Sequence, residues 1–201
     1  MSVVTCLDLE GVLTPEVWIN VAERTGIEKL RLTTRDISDY DKLMKMRLQI
    51  LAENKLKLSD IQAVIRKMEP LDGAREFLDS LRAICPVIIL SDTYYEFADP
   101  LIEKLGRPTL FCNSLRVDAQ GRIADYLLRQ KDGKRMAIVA LHLLKFRVIA
   151  VGDSYNDTSM LAEADAGILF RPPDNVIAEF PQFPVTRTYS ELLEQIKKNL
   201  E

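Results

Sequence analysis

At 201 residues with a net charge of -3 and a pI near 5.4, the chain has room for one full core and a modest insertion, and not for two large independent domains. Its 47% hydrophobic and 28% charged residues exclude a disordered, collagen-like or fibrous chain. There is no basic excess or local basic patch to neutralise a phosphate backbone, which argues against a nucleic-acid partner. No apolar run approaches the roughly 20 residues that cross a bilayer, so no membrane association is expected. The N-terminal MSVVTCLDLEG carries acids where a signal peptide is basic. Cys6, Cys85 and Cys112 lack metal-ligand spacing and lie in or beside apolar runs, as buried free thiols do in a reducing cytoplasm. The chain is therefore read as cytoplasmic.

In chain order, β-branched and aliphatic runs predict strands over 3–9, 87–90, 147–151 and 166–170. They alternate with helical periodicity over 73–83, 94–105, 134–145 and 156–164, and a last helix follows Ser190, a candidate N-cap. This alternation predicts a doubly wound α/β core on a parallel sheet. Nearly eighty residues separate the first two strands, far more than one crossover helix needs. Segments 16–25, 40–54 and 59–67 read as helices, and Glu69-Pro70-Leu71-Asp72-Gly73 marks the return. The expectation is a small helical cap over 16–72 on a core made of 1–15 and 73–201. Over 110–130, two strand-like runs around Asp118-Ala119-Gln120-Gly121 predict a β-hairpin, and the stretch from Phe180 to Pro184 reads as a rigid surface connection.

Ligands of open α/β sheets sit beyond the carboxyl ends of the strands, and the polar residues there form a set. Asp8-Leu9-Glu10-Gly11 follows the first strand, Ser91-Asp92-Thr93 the second and Gly152-Asp153-Ser154-Tyr155-Asn156-Asp157 the third, while Lys134 opens a helix. Asp8, Glu10, Asp153 and Asp157 brought together could not all stay ionised without cations. A lysine and a divalent metal supply them, and hard oxygen ligands without His or Cys favour Mg2+. The Ser91 hydroxyl, the Asn156 amide, N–H groups after Asp8 and the Lys134 ammonium could then hold phosphoryl oxygens.

These residues resemble the haloacid dehalogenase superfamily, whose motifs are a strand-end Asp-x-Asp, a strand-end Ser or Thr, a helix-start Lys and a strand-end Gly-Asp-x-x-x-Asp. All four occur in order. The cap position and the Gly-Asp-x-x-Asn-Asp form are most similar to phosphoserine phosphatases. The run from Leu7 through Leu13 and that from Ser91 through Phe97 resemble the group that also transfers phosphate from phosphoserine to homoserine. The resemblance implies a Rossmann-like core and hydrolysis of a small phosphorylated amino acid. It implies Asp8 as the nucleophile that forms an aspartyl phosphate, and Glu10 as general acid and then base. Mg2+ would be held by Asp8, the Glu10 main-chain carbonyl and Asp153, with Lys134 neutralising charge and Asp157 behind it. Ser91, Asp92 and Asn156 would bind phosphate and substrate. In the cap, Glu16 would meet the substrate ammonium and Arg47 its carboxylate. The chain departs from the superfamily at Glu10, where Asp is usual, and at Val12, where Thr or Ser is common. A longer acid with shifted geometry predicts slower hydrolysis, which would let homoserine compete for the aspartyl phosphate.

Simpler readings stand beside these. Glu16 directly follows Pro15 and suits the helix dipole as a first-turn acid. Arg47 sits within the apolar stripe of Tyr40, Met44, Leu48 and Leu51, where an internal ion pair or a snorkelling stem would also serve. Lys131 competes with Lys134 as the motif lysine. His142, among leucines, is a packed or surface residue, and Trp18 reads as cap packing. The residues also leave open a phosphatase of another small metabolite or a phospholigand-binding protein without catalysis. A homo-oligomer is compatible with all of them.

Overall fold

The computed structural model describes residues 2–33, 36, 37 and 39–200. Strand β1 (Val3–Leu7) runs into helix α1 (Val17–Thr25), a short 3-10 turn (Glu28–Arg31), α2 (Tyr40–Glu53), α3 (Leu58–Ile65) and α4 (Ala74–Arg82). Then come β2 (Val87–Tyr94), α5 (Tyr95–Lys104), β3 (Thr109–Val117), β4 (Ile123–Leu127), α6 (Gly133–Leu143) and β5 (Arg147–Gly152). The chain closes with α7 (Thr158–Glu163), β6 (Ala166–Phe170), α8 (Asp174–Glu179), β7 (Val185–Thr186) and α9 (Tyr189–Lys198).

The sheet order is β4-β3-β2-β1-β5-β6-β7, parallel throughout except for β4 against β3. A strand buried on both faces needs apolar residues at successive positions. In β1, Val4 and Cys6 pack with Ala137, Ile138 and Leu141 of α6 and with Met160 and Leu161 of α7. Leu7, on the opposite face, packs with Phe77, Leu78 and Leu81 of α4 and with Leu192 and Ile196 of α9. β1 lies between β2 and β5, with Leu7 opposite both Ile89 and Val151. The segments after these strands therefore emerge side by side, where the strand order reverses.

The helices between β1 and α4 bury a separate apolar cluster, with Trp18, Val21 and Ala22 of α1, Met44 and Leu51 of α2, and Ile61 and Ile65 of α3. It continues into Tyr94, Phe97 and Leu101 and into Leu115 and Ile123 of the β3–β4 hairpin. The α-helices thus roof the strand ends and lean on the hairpin.

Several sequence expectations change at the boundaries. The first strand stops at Leu7 and not at residue 9, because Leu9 turns back to accept the N–H groups of Leu13 and Thr14. β2 continues through Ser91, Asp92 and Thr93 to Tyr94, so that motif is the strand's irregular end, and β3 is a full member of the central sheet as well as half of a hairpin. α9 is capped by Thr188 rather than Ser190. Thr188 Oγ1 accepts the Glu191 N–H at 3.2 Å while the Glu191 carboxylate accepts the Thr188 N–H at 3.1 Å, a reciprocal capping box. The 180–184 connection ends at the sheet, where the Leu169 N–H donates to the Pro184 carbonyl and two residues of β7 follow.

Candidate active site

β1 delivers Asp8 to the floor of a cavity of about 370 Å³ lined by Glu10, Glu16, Trp18, Tyr40, Arg47, Ser91, Asp92, Thr93, Lys134 and Asn156, among others. Asp8 is 3% exposed, and its Oδ1 accepts the Leu9 N–H at 2.7 Å and lies 2.8 Å from Lys134 Nζ. Lys134, in the first turn of α6, is pinned on the other side by Asp157 Oδ1 at 2.7 Å. Asp92 Oδ2 stands 3.7 Å away. The second oxygen of Asp157 accepts the N–H groups of Asp153 and Ser154, so this fully buried acid is used up in holding Lys134 and the turn after β5. Lys131 is exposed on the approach to α6 and is not among the residues that line the cavity.

Carboxylate oxygens of Asp8, Asp153 and Asp157 fit within 4.8 Å of one another, three acids against the one ammonium that reaches two of them. Burial works against the charge on Lys134, but Asp157 and Asp8 raise its pKa well above the ordinary lysine value. Burial and then repulsion from Asp157 hold the Asp8 carboxyl well above the usual carboxylate range, with Lys134 opposing. The same two causes push Asp153 up to about 7. One lysine thus leaves the cluster short of positive charge, and its donors are all hard oxygens, which suits a divalent cation. Gly11 makes room for this crowding. At φ +84 it adopts a backbone that L side chains rarely tolerate, and a Cβ there would come within 2.5 Å of the Asp153 carboxylate.

Glu10 points elsewhere. Its Oε2 accepts the Val17 N–H at 2.9 Å, one of the unpaired donors at the start of α1. Burial and the neighbouring Glu16 push Glu10 up to about 8. Glu16 is the N-cap residue of α1, one position before its first turn, makes no side-chain cap hydrogen bond, and is exposed on the cavity wall. Ser91 is buried, its Oγ accepting the Thr93 N–H at 3.2 Å. The Asn156 amide donates to Asp92 Oδ2 at 3.3 Å.

Arg47 is 6% exposed and lines the cavity. No carboxylate of the described residues lies within ion-pair distance of it, which removes the internal ion pair. Its Nη2 donates to the Leu32 carbonyl at 2.8 Å, its guanidinium lies 4.5 Å from the Trp18 ring centre, and its buried Nε has no partner. All the predicted site residues line the cavity or the acidic cluster at its floor. Sequence reasoning gave no site role to Tyr40, Thr93 or Trp18, which it placed in the cap stripe, the strand-end polar set and the cap packing. Thr93 was detectable, because Ser91 and Thr93 share a face by the period of a strand. Tyr40, whose hydroxyl meets the Tyr94 hydroxyl at 2.8 Å, carried no such signal. His142 is remote, paired with Asp165 at 3.0 Å.

A family model described as haloacid dehalogenase-like hydrolase matches residues 5–165. The chain belongs to this family. Over 195 residues it is 61% identical to a phosphoserine phosphatase of Pseudomonas syringae pv. tomato, covering 97% of this chain and 82% of that one. It is 59% identical to phosphoserine phosphatase ThrH of Pseudomonas aeruginosa, covering 97% and 95%. Among solved structures it is similar to a phosphoserine phosphatase in apo form, with TM-score 0.79, 21% identity and 96% and 98% of the two chains covered. A phospho-aspartyl intermediate analogue of phosphoserine phosphatase matches with TM-score 0.78 and 20% identity over 96% and 98%. These structural likenesses establish the family's α/β fold. No helix among the described residues is long and apolar enough to cross a membrane.

Proposed function

We propose that the chain is a phosphoserine phosphatase that works through an aspartyl phosphate on Asp8 and also passes the phosphoryl group to homoserine. The observation that carries this reading is a buried carboxylate, Asp8, held by Lys134, which Asp157 pins from its other side, at the floor of a cavity whose wall holds Arg47, a buried arginine with no carboxylate partner among the described residues. The names of the two Pseudomonas relatives support the substrate. Residues 16–72 act as the cap and the remainder as the core, and the three buried free thiols suit a cytoplasmic enzyme.

Asp8, Asp153 and the main-chain carbonyl of Glu10 would hold Mg2+, which when bound offsets the negative charge shared by these acids and the phosphoryl group. Lys134, Ser91 and Asn156 orient the phosphoryl oxygens, with Asp92 steadying Asn156 and Asp157 steadying Lys134. Glu16 and Arg47 take the ammonium and carboxylate of the substrate. A carboxylate oxygen of Asp8 attacks phosphorus, the bond from phosphorus to the serine oxygen breaks, and Glu10 gives its proton to that oxygen. Burial raises the pKa of Glu10 to about 8, so it carries the proton this step needs at neutral pH. Glu10, now a carboxylate, then takes a proton from water or from the homoserine hydroxyl. That oxygen attacks phosphorus and frees the Asp8 carboxylate.

The test is an assay with phosphoserine and Mg2+, with and without homoserine, reading free phosphate and phosphohomoserine. Phosphate release that depends on Mg2+, and a second product when homoserine is added, are expected, with Asp8→Asn losing both. Turnover of a generic aryl phosphate but not of phosphoserine, or an active Asp8→Asn protein, overturns the reading.

A further inference from the structure

A guanidinium at 6% exposure with no carboxylate beside it is costly to bury, and the long arginine stem loses roughly 2 kcal/mol of rotamer freedom when fixed. Arg47 is nevertheless held on three sides. Leu32 O takes one Nη at 2.8 Å, the Met44 thioether takes the other weakly at 3.6 Å, and the indole of Trp18 covers one face at 4.5 Å. Only Nε, buried and without a partner, stays free. Trp18 is itself fixed edge-on against Phe97, with ring centres 5.5 Å apart, and Phe97 edge-on against Tyr94 at 5.6 Å. Tyr94 is the last residue of β2, directly after Ser91-Asp92-Thr93. A row of rings therefore ties the position of Arg47, carried by α2, to the strand end that lines the other side of the cavity.

We propose that Trp18 is the platform that presents Arg47 to the substrate carboxylate, so that this indole sets the preference for phosphomonoesters bearing an α-carboxylate. The inference rests on the reading of the cavity as a phosphoserine site and adds a positioning residue to it. An indole face stabilises a cation through its quadrupole while accepting none of its N–H groups, so it holds the guanidinium plane and takes up no part of its hydrogen-bonding edge. A carboxylate meeting that edge gains charge-assisted bonds. A methionine or leucine in place of Trp18 would fill space without fixing the plane.

The test compares phosphoserine with p-nitrophenyl phosphate, which has no α-carboxylate, using the Mg2+-loaded enzyme. Trp18→Leu should raise KM for phosphoserine about 5- to 30-fold, the range expected from a desolvated cation–π contact, and should raise KM for p-nitrophenyl phosphate by a clearly smaller factor. Trp18→Phe keeps a ring and should recover most of the loss. Arg47→Met should abolish the preference, and adding Trp18→Leu to it should cost nothing further. Trp18 is the only tryptophan of the chain, so its emission provides a second readout on the unmodified holoenzyme. Serine should change it saturably, and ethanolamine, which lacks the carboxylate, should not. If Arg47→Met collapses the preference but Trp18→Leu spares it or harms both substrates equally, the platform is refuted and the carboxylate site stands. Identical emission responses to serine and ethanolamine refute it too. If Arg47→Met leaves the preference unchanged, the carboxylate reading itself falls.

Discussion

Replacing Lys134 with methionine removes the one ammonium from the acidic cluster while nearly keeping its volume. Its Nζ lies 2.8 Å from Asp8 and 2.7 Å from Asp157, and the three side chains are 4%, 4% and 0% exposed. With an effective dielectric of about 20, each contact is an attraction on the order of 6 kcal/mol before desolvation. Desolvation offsets much of that, and stranding a buried partner costs about 3–5 kcal/mol. Asp8 can relieve itself by taking a proton. Asp157 is fully buried and its other oxygen is already engaged by the Asp153 and Ser154 N–H groups, so losing the ammonium leaves it without its charged partner. The metal-free Lys134→Met protein should therefore lose about 3–5 kcal/mol in urea unfolding at pH 7.5, a large part of the ~5–15 kcal/mol of a typical domain. Adding Asp157→Asn should return about 1–3 kcal/mol as coupling. A loss below about 1 kcal/mol, or no recovery in the double variant, would show that the triad is not a desolvated charge network.

Three further outcomes follow from the same geometry. The folded, metal-free protein keeps protons on Glu10 to about pH 8 and on Asp153 to about pH 7, whereas their ordinary values are 4.5 and 3.8. The folded state thus binds more protons between those limits, and stability falls as pH rises from about 5 to 8; the urea midpoint should drop across that window and flatten with saturating Mg2+, and a rising midpoint contradicts the burial of these acids. Gly11→Ala forces a Cβ to within 2.5 Å of the Asp153 carboxylate at φ +84, costing ~1–3 kcal/mol of strain, and should weaken Mg2+ at least tenfold in a metal titration of phosphoserine turnover, an unchanged titration being the contrary result. Glu10→Asp shortens the acid by a methylene and removes its reach to the Val17 N–H, so the share of phosphate released to water should rise relative to phosphohomoserine; an equal ratio by phosphorus NMR removes the link between this glutamate and transfer.

The sequence by itself determined the alternation of the main strands and helices and the four motif segments, but not α8 or β7. Continuous apolar runs announce strands buried on both faces, and polar clusters at their carboxyl ends announce a ligand site. Asp8, Ser91 and Asp153 were legible for that reason. Which strands are neighbours, and so which acids share Lys134, was decided only when β1 settled between β2 and β5. The choice of Lys134 over Lys131 turned on which side chain enters the floor, three residues apart on a helix start. Trp18 read as packing because its periodicity is that of any buried aromatic, and its place over Arg47 depends on how α1 lies against α2. Val17 as the anchor of Glu10 and the two-residue β7 left no local pattern at all. Hydrophobic period and strand-end chemistry are properties of neighbouring residues, whereas contacts between residues distant in the chain are set by packing, which a linear sequence does not display.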